Sequence, residues 1–158
     1  MRRGVRLGVD VGSVRIGIAR CDPGGMLASP LETVPRGKGD LAAVAALAEG
    51  NDAVEIVVGL AVGLAGREGK AAADGRAFAK ELARRLPSVP VRLVDERFTT
   101  VLGHSALQQG GLDSRGRRQA VDKAAAALLL QGALDAERAT GQPAGELVVN
   151  AEGAGNAQ

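Results

Sequence analysis

Gly8-Val9-Asp10-Val11-Gly12-Ser13-Val14-Arg15-Ile16-Gly17-Ile18-Ala19 holds two strand patterns around one tight turn. Val5, Leu7, Val9 and Val11 alternate with Arg6, Gly8 and Asp10, the period of a strand with one apolar face. Gly12-Ser13 is a turn signal. Arg15 to Cys21 then alternates through Ile16, Ile18 and Arg20 as a second strand. Asp22-Pro23-Gly24-Gly25 turns the chain again, and Met26 to Val34 reads as a third strand interrupted by Pro30. Short turns between neighbouring strands predict an antiparallel meander.

Outward from this unit the pattern changes. Asp40 to Glu49 reads as an Ala/Leu helix, and Val54 to Leu60 as an apolar run suited to a buried parallel strand. A glycine-rich loop spans Gly59 to Gly69. Ala71 to Leu86 reads as a helix ending before Pro87, and Val91 to Val94 as a strand closed by Asp95-Glu96-Arg97. Thr99 or Thr100 suits the cap of a helix running to Gly110-Gly111. Leu112 to Arg118 reads as a polar loop, and Gln119 to about residue 138 as the longest helix. Antiparallel strands followed by alternating helix and strand predict an α/β fold: a mixed sheet with helices on both faces. One domain over residues 1–140 is expected, with 141–158 a disordered tail in which Leu147-Val148-Val149 could add a short strand.

The 158 residues suit one buried core, and 46% hydrophobic with 24% charged residues is ordinary globular composition. No apolar run reaches membrane-spanning length and no secretory leader is evident, so a cytoplasmic protein without membrane association is expected. One cysteine and one histidine exclude an intramolecular disulfide and make a Cys/His zinc site untenable within one chain. A bound metal would need carboxylate oxygens, which points to Mg2+ or Mn2+. The net charge of +2 is compatible with nucleic acid. Without Trp or Tyr, contact would run through phosphates rather than stacked bases.

Three acids stand out. Asp10 projects from the strand face opposite Val9 and Val11. Asp95-Glu96 ends the last parallel strand, so one of the two faces the same surface. Asp122 precedes Ala125, Ala126, Leu129, Leu130 and Ala133 at helical spacing, which puts it on the stripe facing the sheet. Converging carboxylates repel and raise one another's pKa, and a divalent cation removes that penalty. Plainer roles are a turn-forming Asp10, a Glu96 paired with Arg97, and an Asp122 placed for the helix dipole. Arg15, Arg67, Lys70, Arg97, Arg115, Arg117 and Arg118 could rim such a site and grip phosphate, or be ordinary solvated charges. The loop glycines could aim amides at a phosphate or simply connect strand to helix. His104 reads as a surface helix position or a proton carrier. Cys21 reads as a small apolar residue or the thiol of an intermolecular disulfide.

The opening stretch resembles the first motif of the YqgF/RuvX family, the Holliday-junction-resolvase-like nucleases. Ala28-Ser29-Pro30-Leu31-Glu32-Thr33 is similar to its second block, and Val57-Val58-Gly59-Leu60 with Gly66 and Gly69 to its central loop. Val94-Asp95-Glu96-Arg97-Phe98-Thr99-Thr100 and Val121-Asp122-Lys123-Ala124-Ala125-Ala126 resemble the last two. Ala61 stands where the family usually has proline. The resemblance implies a ribonuclease-H-like fold, with Asp10, Glu96 and Asp122 as catalytic metal-binding carboxylates and Asp95 as a neighbouring or alternative ligand. It implies two-metal hydrolysis of phosphodiester bonds, with in-line attack by water and departure of the 3′ oxygen. The substrate is either precursor 16S ribosomal RNA at its 5′ end or a branched DNA junction, the protein acting as monomer or homodimer. Two competing classes are a non-catalytic RNA-binding ribosome-assembly factor and an actin/sugar-kinase-type ATPase, whose phosphate loop Asp10-Val11-Gly12-Ser13 also resembles. The ATPase needs two lobes, more than this length supplies.

Overall fold

A computed structural model describes residues 2–61, 69–96 and 114–149, with side chains from Ala120 onward in the last stretch. The chain runs β1 (Arg6–Val11), β2 (Arg15–Cys21), β3 (Ala28–Pro35), α1 (Asp40–Gly50), β4 (Glu55–Leu60), α2 (Lys70–Arg85), β5 (Val91–Asp95), α3 (Ser114–Thr140) and β6 (Glu146–Leu147). The six strands form one sheet in the order β3-β2-β1-β4-β5-β6. β1, β2 and β3 pair antiparallel, while β1, β4 and β5 pair in parallel. The expected meander followed by parallel alternation is what forms.

The period of two explains the layering. Leu7, Val9, Ile16, Ile18, Ile56 and Val58 face a core closed by α1 and α2, through Val44, Phe78 and Leu82 among others. Ala19, Cys21, Val57 and Val94 face the opposite core, closed by α3 through Ala126, Leu129, Leu130 and Ala133. Helices therefore cover both faces.

α3 lies unusually close to the sheet because two strand positions are glycine. A Cβ on Gly17 would sit 2.0 Å from the Asp122 carbonyl oxygen, and one on Gly8 would sit 2.8 Å from the carbonyl of Ala126. Only residues without a side chain admit the helix backbone at that range.

One expectation changes. The polar loop expected at Leu112 to Arg118 gives way at Ser114, where α3 begins. Arg115, Arg117 and Arg118 thus stand on the opening turns of a helix. Gly116 lowers helix propensity by only about 1 kcal/mol, too little to break so long an element. Past Thr140 the chain does not leave the fold at once. Leu147 pairs with Arg92, and the Val148 amide donates to the Val91 carbonyl at 2.8 Å. The short strand that Leu147-Val148-Val149 could add forms at Glu146–Leu147, so residues 141–149 follow the sheet and blunt an otherwise open edge at β5. The expected helix after Thr99 or Thr100, most of the glycine loop, and Phe98, Thr99, Thr100 and His104 lie outside the described residues, as does the chain from Asn150.

At the end of the sheet formed by the amino ends of β1, β4 and β5, charges are buried together. Arg6, Glu55 and Glu137 are 1%, 4% and 5% exposed. Arg2 binds both Glu55, at 3.1 Å, and Glu137, and Arg92 meets Glu55 at 3.2 Å. This knot ties the amino-terminal segment, β4, β5 and the end of α3.

Candidate functional site

The other end of the sheet gathers the acids. Asp10 is the penultimate residue of β1 and pairs across the ladder with Gly17, which pairs in turn with Thr33. All three lie on the α3 face. Continuing the β1–β4 register brings Gly59 beside Asp10 on the other side. Glu96 follows β5 directly, one pleat beyond Val94, so it returns to this same face. A Cβ on Gly59 would lie 2.8 Å from Glu96 Cγ and 2.9 Å from its Oε1. The glycine leaves the room in which the Glu96 side chain lies.

Glu96 and Asp10 share a hydrogen bond, and the Glu96 carboxyl is pushed up to about 9. Burial is the largest cause; the bond to Asp10 and the charges of Asp10 and Asp95 add to it. Glu96 therefore holds a proton more tightly than an ordinary carboxyl, against Asp10. Of the Asp95-Glu96 pair, Glu96 is the one that shares Asp10's side of the sheet. Asp95 acts on it as a nearby charge.

Asp122 sits on the sheet-facing stripe of α3, with its backbone carbonyl against Gly17, immediately beside Asp10 in the ladder. It lies more than two turns inside α3, so a helix-dipole role at the first turn does not apply. Its carboxylate is turned to Arg15, whose Nε donates to Oδ2 at 2.7 Å. The three acids singled out in the sequence are thus brought to one region of the sheet, Glu96 hydrogen-bonded to Asp10 and Asp122 turned to Arg15. Among the described residues no set of three or more His, Cys, Asp or Glu side chains is arranged to hold a metal ion.

The donor chemistry still fits a divalent cation. Two acids in hydrogen-bond contact, both hard oxygen donors, occupy a place where a cation could replace the proton between them. They lie at the carboxyl ends of β1 and β5, where open sheets of this kind bind ligands.

Of the basic candidates, Arg15 is placed against Asp122. Lys70 opens α2, on the opposite face, and makes no contact with the acids among the described residues. The side chains of Arg67, Arg97, Arg115, Arg117 and Arg118 lie outside the described residues. Cys21 is 3% exposed and receives the Arg6 amide, so the intermolecular-disulfide reading gives way to packing. Lys123 escaped attention in the sequence because it reads as a solvated helix charge. It lines a cleft of about 350 Å3 together with Arg15, Leu31, Glu32, Thr33 and Pro35.

No helix among the described residues is long and apolar enough to cross a membrane. Residues 4–136 match the RuvX family, described as Holliday junction resolvase. A relative from Nocardioides sp. (strain ATCC BAA-499 / JS614), described as a candidate pre-16S rRNA nuclease, is 56% identical over 153 residues, covering 94% of this chain and 98% of its own. One from Thermobifida fusca, with the same description, is 56% identical over 155 residues at the same coverage. Among solved structures, Thermus thermophilus RuvC in complex with a Holliday junction substrate matches with a TM-score of 0.55 at 18% identity, over 89% of this chain and 99% of that one. At that identity the likeness speaks to the fold, which is ribonuclease-H-like as expected. The match over most of the length and the two close relatives together place this chain in the RuvX family of Holliday-junction-resolvase-type nucleases.

Proposed function

We propose that this chain hydrolyses phosphodiester bonds of nucleic acid with Mg2+ or Mn2+ held by Asp10, Glu96 and Asp122, and that its substrate is precursor 16S ribosomal RNA, cut in the course of 5′-end maturation in the cytoplasm. The carrying observation is the hydrogen-bonded contact of Asp10 with Glu96 at the carboxyl end of the sheet, with Asp122 on the adjoining helix. A pair of divalent cations bound there would supply a Lewis acid for the phosphate and a water acidic enough to attack it.

The chain's own residues have three tasks. Asp10 and Glu96 present anionic oxygens. Gly17 and Gly59 hold the helix and the Glu96 side chain close enough to Asp10 for this to be one site. Arg15, with Arg67, Lys70, Arg97, Arg115, Arg117 and Arg118 as further candidates, holds the phosphate backbone. Asp95 raises the local negative charge. Water attacks in line and the 3′ oxygen departs.

The RNA reading rests on the descriptions of relatives more than half identical over nearly the whole chain. The family description favours a second reading, cleavage of branched DNA. That substrate is two-fold symmetric and calls for a homodimer with paired sites, whereas RNA trimming is open to a monomer. The test is cleavage of a 5′-extended 16S precursor beside a four-way DNA junction, with Mg2+ or Mn2+, and Glu96→Gln as the control. RNA cut at a defined site, lost in Glu96→Gln, supports the proposal. Junction cleavage alone, by a sedimenting dimer, supports the second reading. Neither, with RNA bound, supports a non-catalytic assembly factor.

A further inference from the structure

The Arg15–Asp122 ion pair and the cleft beside it belong together. Thr33, Gly17 and Asp10 stand in one row across β3, β2 and β1, on the face covered by α3. Strands are spaced about 4.8 Å apart, so the Thr33 backbone lies about 10 Å from that of Asp10. Asp122 sits over the middle of that row, on Gly17.

The cleft lies at the Thr33 end. Arg15 and Lys123 line it from β2 and α3, with Glu32 as the one opposing charge. The Thr33 hydroxyl oxygen is buried and has no hydrogen-bond partner among the described residues. Two cations and open volume suit a singly charged phosphodiester, and the spacing suits a phosphate neighbouring the one at Asp10.

Arg15 has a second allegiance. Its guanidinium is engaged by Asp122, with the two side chains 26% and 28% exposed. A guanidinium on that carboxylate stands where a cation's ligand is needed. A phosphate is a strong, bidentate competitor for the same fork of donors.

We propose that the cleft between β3 and α3 is a subsite for a backbone phosphate of the nucleic acid, and that its occupation draws Arg15 from Asp122 and frees that carboxylate for the cation. Arg15 is then a positioning residue that couples substrate to metal, and Lys123 a binding residue of the subsite. The inference rests on the carboxylate reading above. Coupling of this kind is reciprocal: nucleic acid tightens the cation by the factor with which the cation tightens nucleic acid.

The full-length chain is titrated with MnCl2 by calorimetry, alone and with a short single-stranded oligoribonucleotide. RNA affinity is measured by anisotropy in EDTA across a salt series. Arg15→Gln should bind Mn2+ about fivefold more tightly than wild type without RNA, because the competing cation is gone. Arg15→Lys, which keeps the charge, should not. RNA should tighten Mn2+ less in Arg15→Gln than in wild type. Lys123→Gln should weaken RNA binding severalfold and reduce the salt slope by about one, while Lys80→Gln, on the far face, should change neither. A merely structural Arg15 would lose Mn2+ affinity on substitution, not gain it.

Arg15→Gln binding Mn2+ no more tightly than wild type overturns the coupling, and Lys123→Gln with unchanged RNA affinity and slope overturns the subsite. Asp10→Asn separates this from failure of the site itself. If Asp10→Asn loses Mn2+ and Arg15→Gln gains nothing, only the coupling fails. If Asp10→Asn binds Mn2+ like wild type, the carboxylate reading falls and this inference with it.

Discussion

Glu96 carries the unusual chemistry of the site. Its carboxyl ionises near 4.5 when unfolded and near 9 in the fold, chiefly because it is buried. Between those values the unfolded chain has released a proton that the folded chain retains. Without metal, stability should therefore be greatest at low pH with respect to this group and fall as pH rises through that window. Glu96→Gln keeps the shape and removes the ionisation. In EDTA, its thermal midpoint should exceed that of wild type by a few degrees at pH 8, and the gap should close towards pH 4.5. A gap that widens on acidification would contradict the assignment. Glu137 has the opposite sign. Hydrogen bonds from Arg2 hold its carboxyl below the usual range, so its contribution is present near neutrality and lost as pH falls. Glu137→Gln leaves Arg6, 1% exposed, beside a neutral partner. Arg2 is 42% exposed and relaxes into water, so a cost of about 3 kcal/mol in urea unfolding is expected, the lower end for a broken buried pair. Cleavage by the remaining folded protein should be unchanged, because this knot lies at the far end of the sheet from Asp10.

At the scale of elements, the approach of α3 to β1 and β2 decides whether the acids meet. Gly17→Ala puts a methyl 2.0 Å from the Asp122 carbonyl, so the helix must move; a Gly17→Ala variant should lose about 2–3 kcal/mol and cleave poorly even when folded. Gly59→Ala meets the flexible Glu96 side chain and Leu129 instead, and should cost activity more than stability. Circular dichroism melts beside cleavage rates separate the two. Much of this layer was legible. Strand alternation put Asp10 on one face of β1, and helical spacing put Asp122 on the stripe of α3 that meets the sheet; which face α3 covers was not given by spacing. Other parts were not. The start of α3 was obscured by Gly116 within a run of arginines, which reads as loop although the helix continues through it. The short strand that Leu147-Val148-Val149 could add was in view, but its place at Glu146–Leu147 is set by the edge of β5, a tertiary cause. The pairing of Arg15 with Asp122 depends on which rotamers two long-separated side chains adopt, and periodicity carries no such information. The burial of Arg6, Glu55 and Glu137 is likewise a property of who meets whom, not of any one segment.

The molecule as a whole divides along its sheet. One end is held by paired buried charges, and the other gathers Asp10, Asp95, Glu96 and Asp122 beside a cleft lined by Arg15 and Lys123. Stability is supplied where chemistry is absent, and the site crowds carboxylates whose mutual repulsion a cation would lessen. This polarity, on a fold shared with RuvC and in a chain of the RuvX family, joins the parts of the account. It was only partly visible in advance: the acids could be named from the sequence, whereas their incomplete convergence, with Asp122 held by Arg15, could not. The most direct test is the cleavage rate of Asp10→Asn against wild type on the 5′-extended 16S precursor with Mg2+ or Mn2+. Since a residue supporting a metal ligand already accounts for about 10–100-fold, loss of the ligand should reduce the rate by at least about 100-fold with the fold intact. Cleavage by Asp10→Asn at the wild-type rate would contradict the account.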